Sequence, residues 1–183
     1  MKKTVLTYGL ISGVLISVLM AATLPFADRI GFDHGAYVGY TTMVLAFLLV
    51  FFGIRSYRDN DSDGHITFAK GVGVGACIML ITCVFYVLTW EVLYFKFMPD
   101  FMDKYSAYEV AKMQASGASA AAVQAQVQAL KHYTEMYNHV LFNSAMTFLE
   151  PMPVGLLITL VSAAILRKKA TGQTQTAESA ASA

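Results

Sequence analysis

Residues 68–95 read FAKGVGVGACIMLITCVFYVLTWEVLYF. Between Lys70 and Glu91 no side chain carries a charge. A helix rises ~1.5 Å per residue, so about 20 such residues cross a ~30 Å hydrocarbon layer. This run exceeds that need and must tilt or project beyond the lipid. Working outward, residues 4–24, 36–54 and 140–166 are apolar over comparable lengths. Four such stretches predict an all-α polytopic membrane protein: four transmembrane helices in a single membrane domain, residues 1–169.

Composition agrees. Hydrophobic residues are 56% of the chain and charged ones 14%, with a mean hydropathy of +0.53; a soluble domain carries about 25% charged residues. A net charge of +1 gives no reason to expect nucleic acid as a partner. The two cysteines, Cys77 and Cys83, lie six residues apart on one helix. They point to different faces, cannot bridge, and read as buried packing residues. Lys2-Lys3 before an apolar run resembles a signal peptide, but secretory apolar regions are usually about 7–15 residues long. The first stretch runs further, so an uncleaved first helix is expected.

Basic residues set the orientation. With the N-terminus cytoplasmic, the cytoplasmic segments hold Lys2, Lys3, Arg55, Arg58, Lys70, Arg167, Lys168 and Lys169. The short external loop at 25–35 holds only Arg29, and the long one holds Lys96, Lys104, Lys112 and Lys131. Basic residues resist translocation most strongly in short loops near helix ends. Both termini are therefore expected in the cytoplasm, in a bacterial inner membrane. The small polar tail, residues 170–183, should be disordered.

Residues 96–138 form the one sizeable external segment. Asp103 to Ala115 reads as a helix, broken at Ser116-Gly117, and Ser119 suits an N-cap for a second helix. Val123, Val127, Leu130, Thr134, Tyr137 and Leu141 recur at helical spacing and form a stripe that packs on a partner element or docks a partner protein. No breaker stands between Ser119 and Leu149, so this helix is expected to run directly into the fourth span. The simplest picture is a lone extramembrane helical hairpin between spans three and four. Glycines four apart, Gly71/Gly75, Gly9/Gly13 and Gly35/Gly39, are expected to admit neighbouring helices.

Three constellations bear on chemistry. Asp59-Asn60-Asp61-Ser62-Asp63-Gly64 opens like a calcium-binding loop, but the twelfth position, where a bidentate glutamate belongs, is Lys70. A polar turn is the better reading. His132, Glu135 and His139 share a helix face by spacing, and imidazoles with a carboxylate are weak metal candidates. More informative are Glu91, ~31 Å along the third span from Lys70, and Glu150, ~25 Å along the fourth from Arg167. Both fall near the outer boundary, with Asn143 nearby. An ionisable group near the membrane core costs about 2.5–3.5 kcal/mol, so such groups generally face protein or water. Pro151 and Pro153 follow Glu150 and should kink the helix. A polar site shared by Glu91 and Glu150 competes with a bland reading, in which Glu91 snorkels and Glu150 pairs with a hydroxyl or amide.

Gly53-Ile54-Arg55-Ser56-Tyr57-Arg58-Asp59 followed by Gly64-His65-Ile66-Thr67-Phe68 resembles the loop hallmark of domain-of-unknown-function family 4199. So does Thr147-Phe148-Leu149-Glu150-Pro151-Met152-Pro153-Val154-Gly155-Leu156, ending in Leu166-Arg167-Lys168-Lys169. The resemblance implies a small bacterial four-helix integral membrane protein and supplies no activity. It makes Arg55, Arg58, Asp59 and Glu150 the natural candidates.

The expectation is a non-enzymatic accessory or scaffolding protein, or a small lipid- or solute-binding protein. Glu91 and Glu150 would form its polar site. Arg55, Arg58 and Asp59 would form a cytoplasmic cluster that orders the loop or meets anionic headgroups. The competitors are a transporter of protons, ions or a small solute with Glu150 at the kink, and a metal-dependent membrane enzyme using His132, Glu135 and His139. No catalytic residue and no cofactor is implied. The lipid bilayer is the expected partner, with another membrane protein or a second copy of the chain left open.

Overall fold

The structure, a computed structural model, describes residues 1–168; the tail expected to be disordered lies outside them. Among the described residues the chain is helical: α1 Lys2–Thr23, α2 Ala27–Asp61, α3 Phe68–Val92, α4 Phe101–Ala115, α5 Ala120–Tyr137, α6 Val140–Leu149 and α7 Met152–Leu166. A turn of 3-10 helix links α1 to α2, and a π-helical turn, Leu93–Phe97, extends α3.

Among the described residues three helical runs, rather than four separate ones, are long and apolar enough to cross a membrane: Lys2–Asp61, Phe68–Phe97 and Val140–Leu166. The first is 60 residues long because the backbone stays helical through Leu24–Phe26, where a loop was expected. It nevertheless doubles back. The Met1 ammonium lies 3.3 Å from the Asp61 carboxylate, and Ser12 Oγ donates to the Ala46 carbonyl at 2.8 Å. The reversal needs Gly31, whose φ of 61° and ψ of 175° suit a residue without Cβ.

Helix α3 is the centre of the bundle. It packs on α1, α2, α7 and α6, while α2 also packs on α1 and α7. Close packing and internal hydrogen bonds join the helices. Glycines supply the closeness. A Cβ on Gly9 would stand 2.8 Å from Ile81 and one on Gly13 2.5 Å from Phe85, which seats α1 alongside α3. On the other side Gly71 meets Ala163 and Gly75 meets Thr159, which seats α7 antiparallel. Gly35 and Gly39 do not follow suit. Nothing lies within 4 Å of where their Cβ atoms would be, because this part of α2 diverges from its neighbours. The interior between the glycine seams is filled by Ile16, Met43, Phe47, Val50, Ile54, Val74, Ile78 and Met79, all buried. Cys83 joins them, but Cys77 is exposed, contrary to the expectation of two buried thiols.

The segment between α3 and α6 is not a lone hairpin. Phe32, just past the reversal, packs edge-on against Phe101 and Tyr105, with ring centroids 5.6 and 5.5 Å away. The Tyr108 hydroxyl donates to Asp33. The α4–α5 turn is as expected: Gly117 has a φ of 78°, Ala118 N–H reaches back to the Met113 carbonyl, and the Ser119 hydroxyl caps Ala122 N–H. The other end of α5 corrects the sequence reading. The helix stops at Tyr137, His139 is extended with φ −84° and ψ 119°, and α6 starts at Val140. Tertiary hydrogen bonds make this corner. The Tyr94 hydroxyl donates to Asn138 Oδ1 at 2.6 Å, and Asn143 Nδ2 donates to the Tyr137 carbonyl at 3.2 Å. The second satisfies a carbonyl that the end of α5 leaves without a helical partner, and the first anchors the corner to α3's extension.

Candidate functional site

The two ends of the bundle differ in chemistry. At one end the N-terminus, the α2–α3 loop and the end of α7 come together. Arg58 bonds Asp59 at 2.7 Å, and its Nη1 donates to the Leu166 carbonyl at 3.5 Å, capping α7. Arg55 lies 3.6 Å from the same Asp59. Ile66 and Lys168 form an antiparallel bridge, with backbone bonds of 3.0 and 2.9 Å. The cluster of Arg55, Arg58 and Asp59 is therefore real, and its arginine and loop residues tie the α2–α3 loop to the last helix. The Arg58 guanidinium holds the Asp59 carboxyl below its ordinary value of 3.8. Asp61 is lowered too, first by the Thr4 hydroxyl and then by the N-terminal ammonium.

The acidic loop itself is a turn. Asp59 and Asp61 still lie on α2 and bond to different partners, while Asp63 and Gly64 turn the chain with φ of 48° and 76°. Among the described residues no three His, Cys, Asp or Glu side chains are placed to hold a metal ion. The His132, Glu135 and His139 set is broken up because the helix ends before His139, so the three do not share one helical face.

At the capped end, beneath α4 and α5, the two carboxylates of the apolar runs, Glu91 and Glu150, are both answered by hydroxyls. Tyr86 of α3 donates to Glu150 Oε2 at 2.9 Å, and Ser144 of α6 donates to Glu91 Oε1 at 2.8 Å. The two rungs cross-link α3 to the α6–α7 segment. They do not make one shared site. Glu91 lies five residues past Tyr86 on α3, ~7.5 Å of helical rise, and its pairing is with Ser144. The Glu91 Oε2 atom is buried without a partner. For Glu150 the bland expectation of a hydroxyl partner holds. Asn143 is fully buried and serves the α5–α6 corner, taking the Thr147 hydroxyl on its Oδ1 at 3.0 Å.

Glu150 sits where α6 gives way to α7. Pro151 cannot donate to the Thr147 carbonyl, nor Pro153 to that of Leu149, so the helix is interrupted there. The Glu150 residue is exposed, whereas Tyr86, which binds it, is only 7% exposed. Tyr137 and Tyr133 of α5 both feel the Glu150 charge. The Tyr137 hydroxyl accepts from Trp90 Nε1 at 3.0 Å and is pushed up to about 12, chiefly by burial and also by the nearby charges of Tyr133 and Glu150. Tyr133 is raised by burial first and the Glu150 charge second. Tyr40 lies one turn from buried Met43 on α2 yet is 50% exposed.

Sequence reasoning found Glu150 and missed the tyrosines. The signal available was a set of phenol groups in or beside apolar helices, where a polar tip needs a partner.

An all-α bundle with an interrupted last span and a capped end is the class these features define. The chain belongs to the family described as protein of unknown function (DUF4199), whose model matches residues 7–168. No curated protein and no solved structure matches it.

Proposed function

We propose that the chain is a non-enzymatic, four-pass protein of a bacterial inner membrane that binds a lipid or small solute at its outer end. The doubled-back first run supplies two crossings, and α3 and α6–α7 supply the others. Support for insertion comes from the surface: Leu10, Val14, Leu45, Phe52, Leu88 and Leu157 are among many large apolar side chains left exposed around the bundle. The end built from the N-terminus, the α2–α3 loop and the last turn of α7 carries seven basic residues, Lys2, Lys3, Arg55, Arg58, Lys70, Arg167 and Lys168, against three aspartates. That asymmetry supports a cytoplasmic location for both termini.

The observation that carries the binding function is Glu150, an exposed carboxylate ~25 Å from Arg167 along the last run, which among the described residues is answered by the Tyr86 hydroxyl. Packing supports binding over passage. Below Tyr86, the buried Met43, Phe47, Ile78 and Met79 fill the bundle. In the α5 stripe Leu130 is buried, while Val127 and Leu141 stay exposed.

The test is native mass spectrometry of protein extracted in mild detergent. A non-protein mass retained by the wild-type chain and lost in Glu150→Gln is expected. A wild-type spectrum with no such adduct would refute the reading.

A further inference from the structure

The basic end of the bundle holds two kinds of cation. Arg55 and Arg58 both engage Asp59, at 3.6 and 2.7 Å, and Arg58 also donates to the Leu166 carbonyl. They hold the end of α2 against the end of α7. Lys2, Lys3, Lys70, Arg167 and Lys168 are different. Among the described residues the ion pairs at this end take up Asp59 and Asp61 with Arg55, Arg58 and the Met1 ammonium, and none includes these five. Three of the five meet at one junction. The Ile66–Lys168 bridge lays the residues just past α7 against the loop that leads into α3, with backbone bonds of 3.0 and 2.9 Å in the two directions. Lys70 stands one turn further on, in the first turn of α3. Its neighbour Gly71 packs on α7, where a Cβ would stand 3.1 Å from that of Ala163. The Lys70 ammonium lies 6.0 Å from the ring of Tyr57 on α2. Lys70, Arg167 and Lys168 are all exposed.

Like charges gathered without a carboxylate among them repel, and an anion relieves that repulsion. The surroundings decide which anion. Phe68, two residues before Lys70, is 43% exposed, and Ile165, two residues before Arg167, is 66% exposed. Each element that carries a cation therefore passes directly from exposed apolar side chains to exposed basic ones. A soluble anion would leave those apolar neighbours bare. A phospholipid uses both, with its phosphate at the cations and its chains along the apolar side chains.

We infer that Lys70, Arg167 and Lys168 form a docking surface for the phosphate of an anionic phospholipid, while Arg55, Arg58 and Asp59 hold the loop that positions it. This rests on the proposed membrane insertion and is independent of any ligand at Glu150. It also divides the work among the basic residues: the paired arginines fasten helices, and the unpaired cations meet the headgroup.

The test titrates the full-length protein, in nonionic detergent, with dioleoyl phosphatidylglycerol, dioleoyl phosphatidylcholine or inorganic phosphate, and reads retained mass by native mass spectrometry. Phosphatidylglycerol should bind at least about tenfold more tightly than phosphatidylcholine, and added salt should narrow the gap. Lys70→Gln/Arg167→Gln/Lys168→Gln should abolish the preference. Lys96→Gln/Lys112→Gln/Lys131→Gln removes the same charge from exposed positions at the capped end and should keep it. The single changes at the junction, each expected to weaken phosphatidylglycerol binding about three- to fivefold, keep the test open if the triple variant does not fold. Equal retention of the two lipids, or equal loss of the preference in both triple variants, overturns the inference. Retention of inorganic phosphate in place of lipid shows a free-anion site and overturns the lipid assignment. Insertion is read separately, by alkaline carbonate extraction of membranes from the expressing cells. Release of the chain without detergent overturns insertion and the inference with it; a carbonate-resistant chain with no lipid preference overturns the inference alone.

Discussion

Tyr86 and Glu150 join the middle of the bundle to its interrupted helix: the buried phenol of α3 donates at 2.9 Å to the exposed carboxylate at the α6–α7 junction. The bond positions Glu150 and also supplies part of what holds α7's proline-bearing start against α3. Losing the hydroxyl leaves the carboxylate at the same depth with one fewer donor. Tyr86→Phe is expected to lower stability by about 0.5–1.5 kcal/mol, the net worth of one hydrogen bond whose acceptor stays exposed. A double-mutant cycle with Glu150→Gln, read by unfolding in detergent, should show coupling of about 1 kcal/mol. Strict additivity would mean that the bond contributes nothing.

Asn143 binds two groups at once, the Tyr137 carbonyl and the Thr147 hydroxyl, inside the corner that ends α5. Asn143→Leu keeps the volume but strands both. A loss of about 2–4 kcal/mol follows from two unsatisfied buried groups, and proteolysis near Asn138 should accelerate. An unchanged cleavage pattern would show that the corner forms without its asparagine.

Glycine substitutions should divide by position. Gly13→Ala places a Cβ 2.5 Å from Phe85, so α1 must move off α3, at a cost of about 1–3 kcal/mol. Gly39→Ala meets nothing within 4 Å and gains helix propensity, so it should be neutral or stabilising by up to about 1 kcal/mol. Melting temperatures of the two variants in the same detergent check the contrast; equal destabilisation would contradict the packing.

Acid should loosen the basic end. Asp59 and Asp61 both have folded values below the ordinary 3.8. A depressed carboxylate contributes its stabilisation above the ordinary value, and this is lost as pH falls through the lower folded value. Hydrogen exchange across residues 58–66 should therefore accelerate below about pH 4, and Asp59→Asn/Asp61→Asn should remove the dependence. Exposure of both groups keeps the effect small and salt-sensitive.

Orientation is checked with single cysteines in a Cys77→Ser/Cys83→Ser background. A membrane-impermeant maleimide should label Ser116→Cys in intact cells and Ser62→Cys only after permeabilisation. The opposite pattern would invert the topology.

Much of the architecture could be read from residues. The lengths of the apolar runs placed the helices, Ser119 and Gly117 placed the α4–α5 turn, and glycines four apart on α1 and α3 marked the seams. Where the reading failed, the deciding interaction was long-range. The α5–α6 break depends on Tyr94 and on Asn143, each from a different helix or a later turn, so no local breaker announced it. Gly35 and Gly39 have the right spacing but no facing helix, and His132, Glu135 and His139 have it on a helix that stops too soon.

Hydropathy is a property of each residue and its immediate neighbours, so helical content, apolar runs and the clustering of basic charge followed from the order of amino acids alone. Partnership is different. That Glu150 meets Tyr86 and Glu91 meets Ser144, instead of the two acids meeting each other, depended on the relative rotation and stagger of α3 and α6. Those are set by how glycine seams and aromatic rings from distant segments pack, and no linear spacing encodes them.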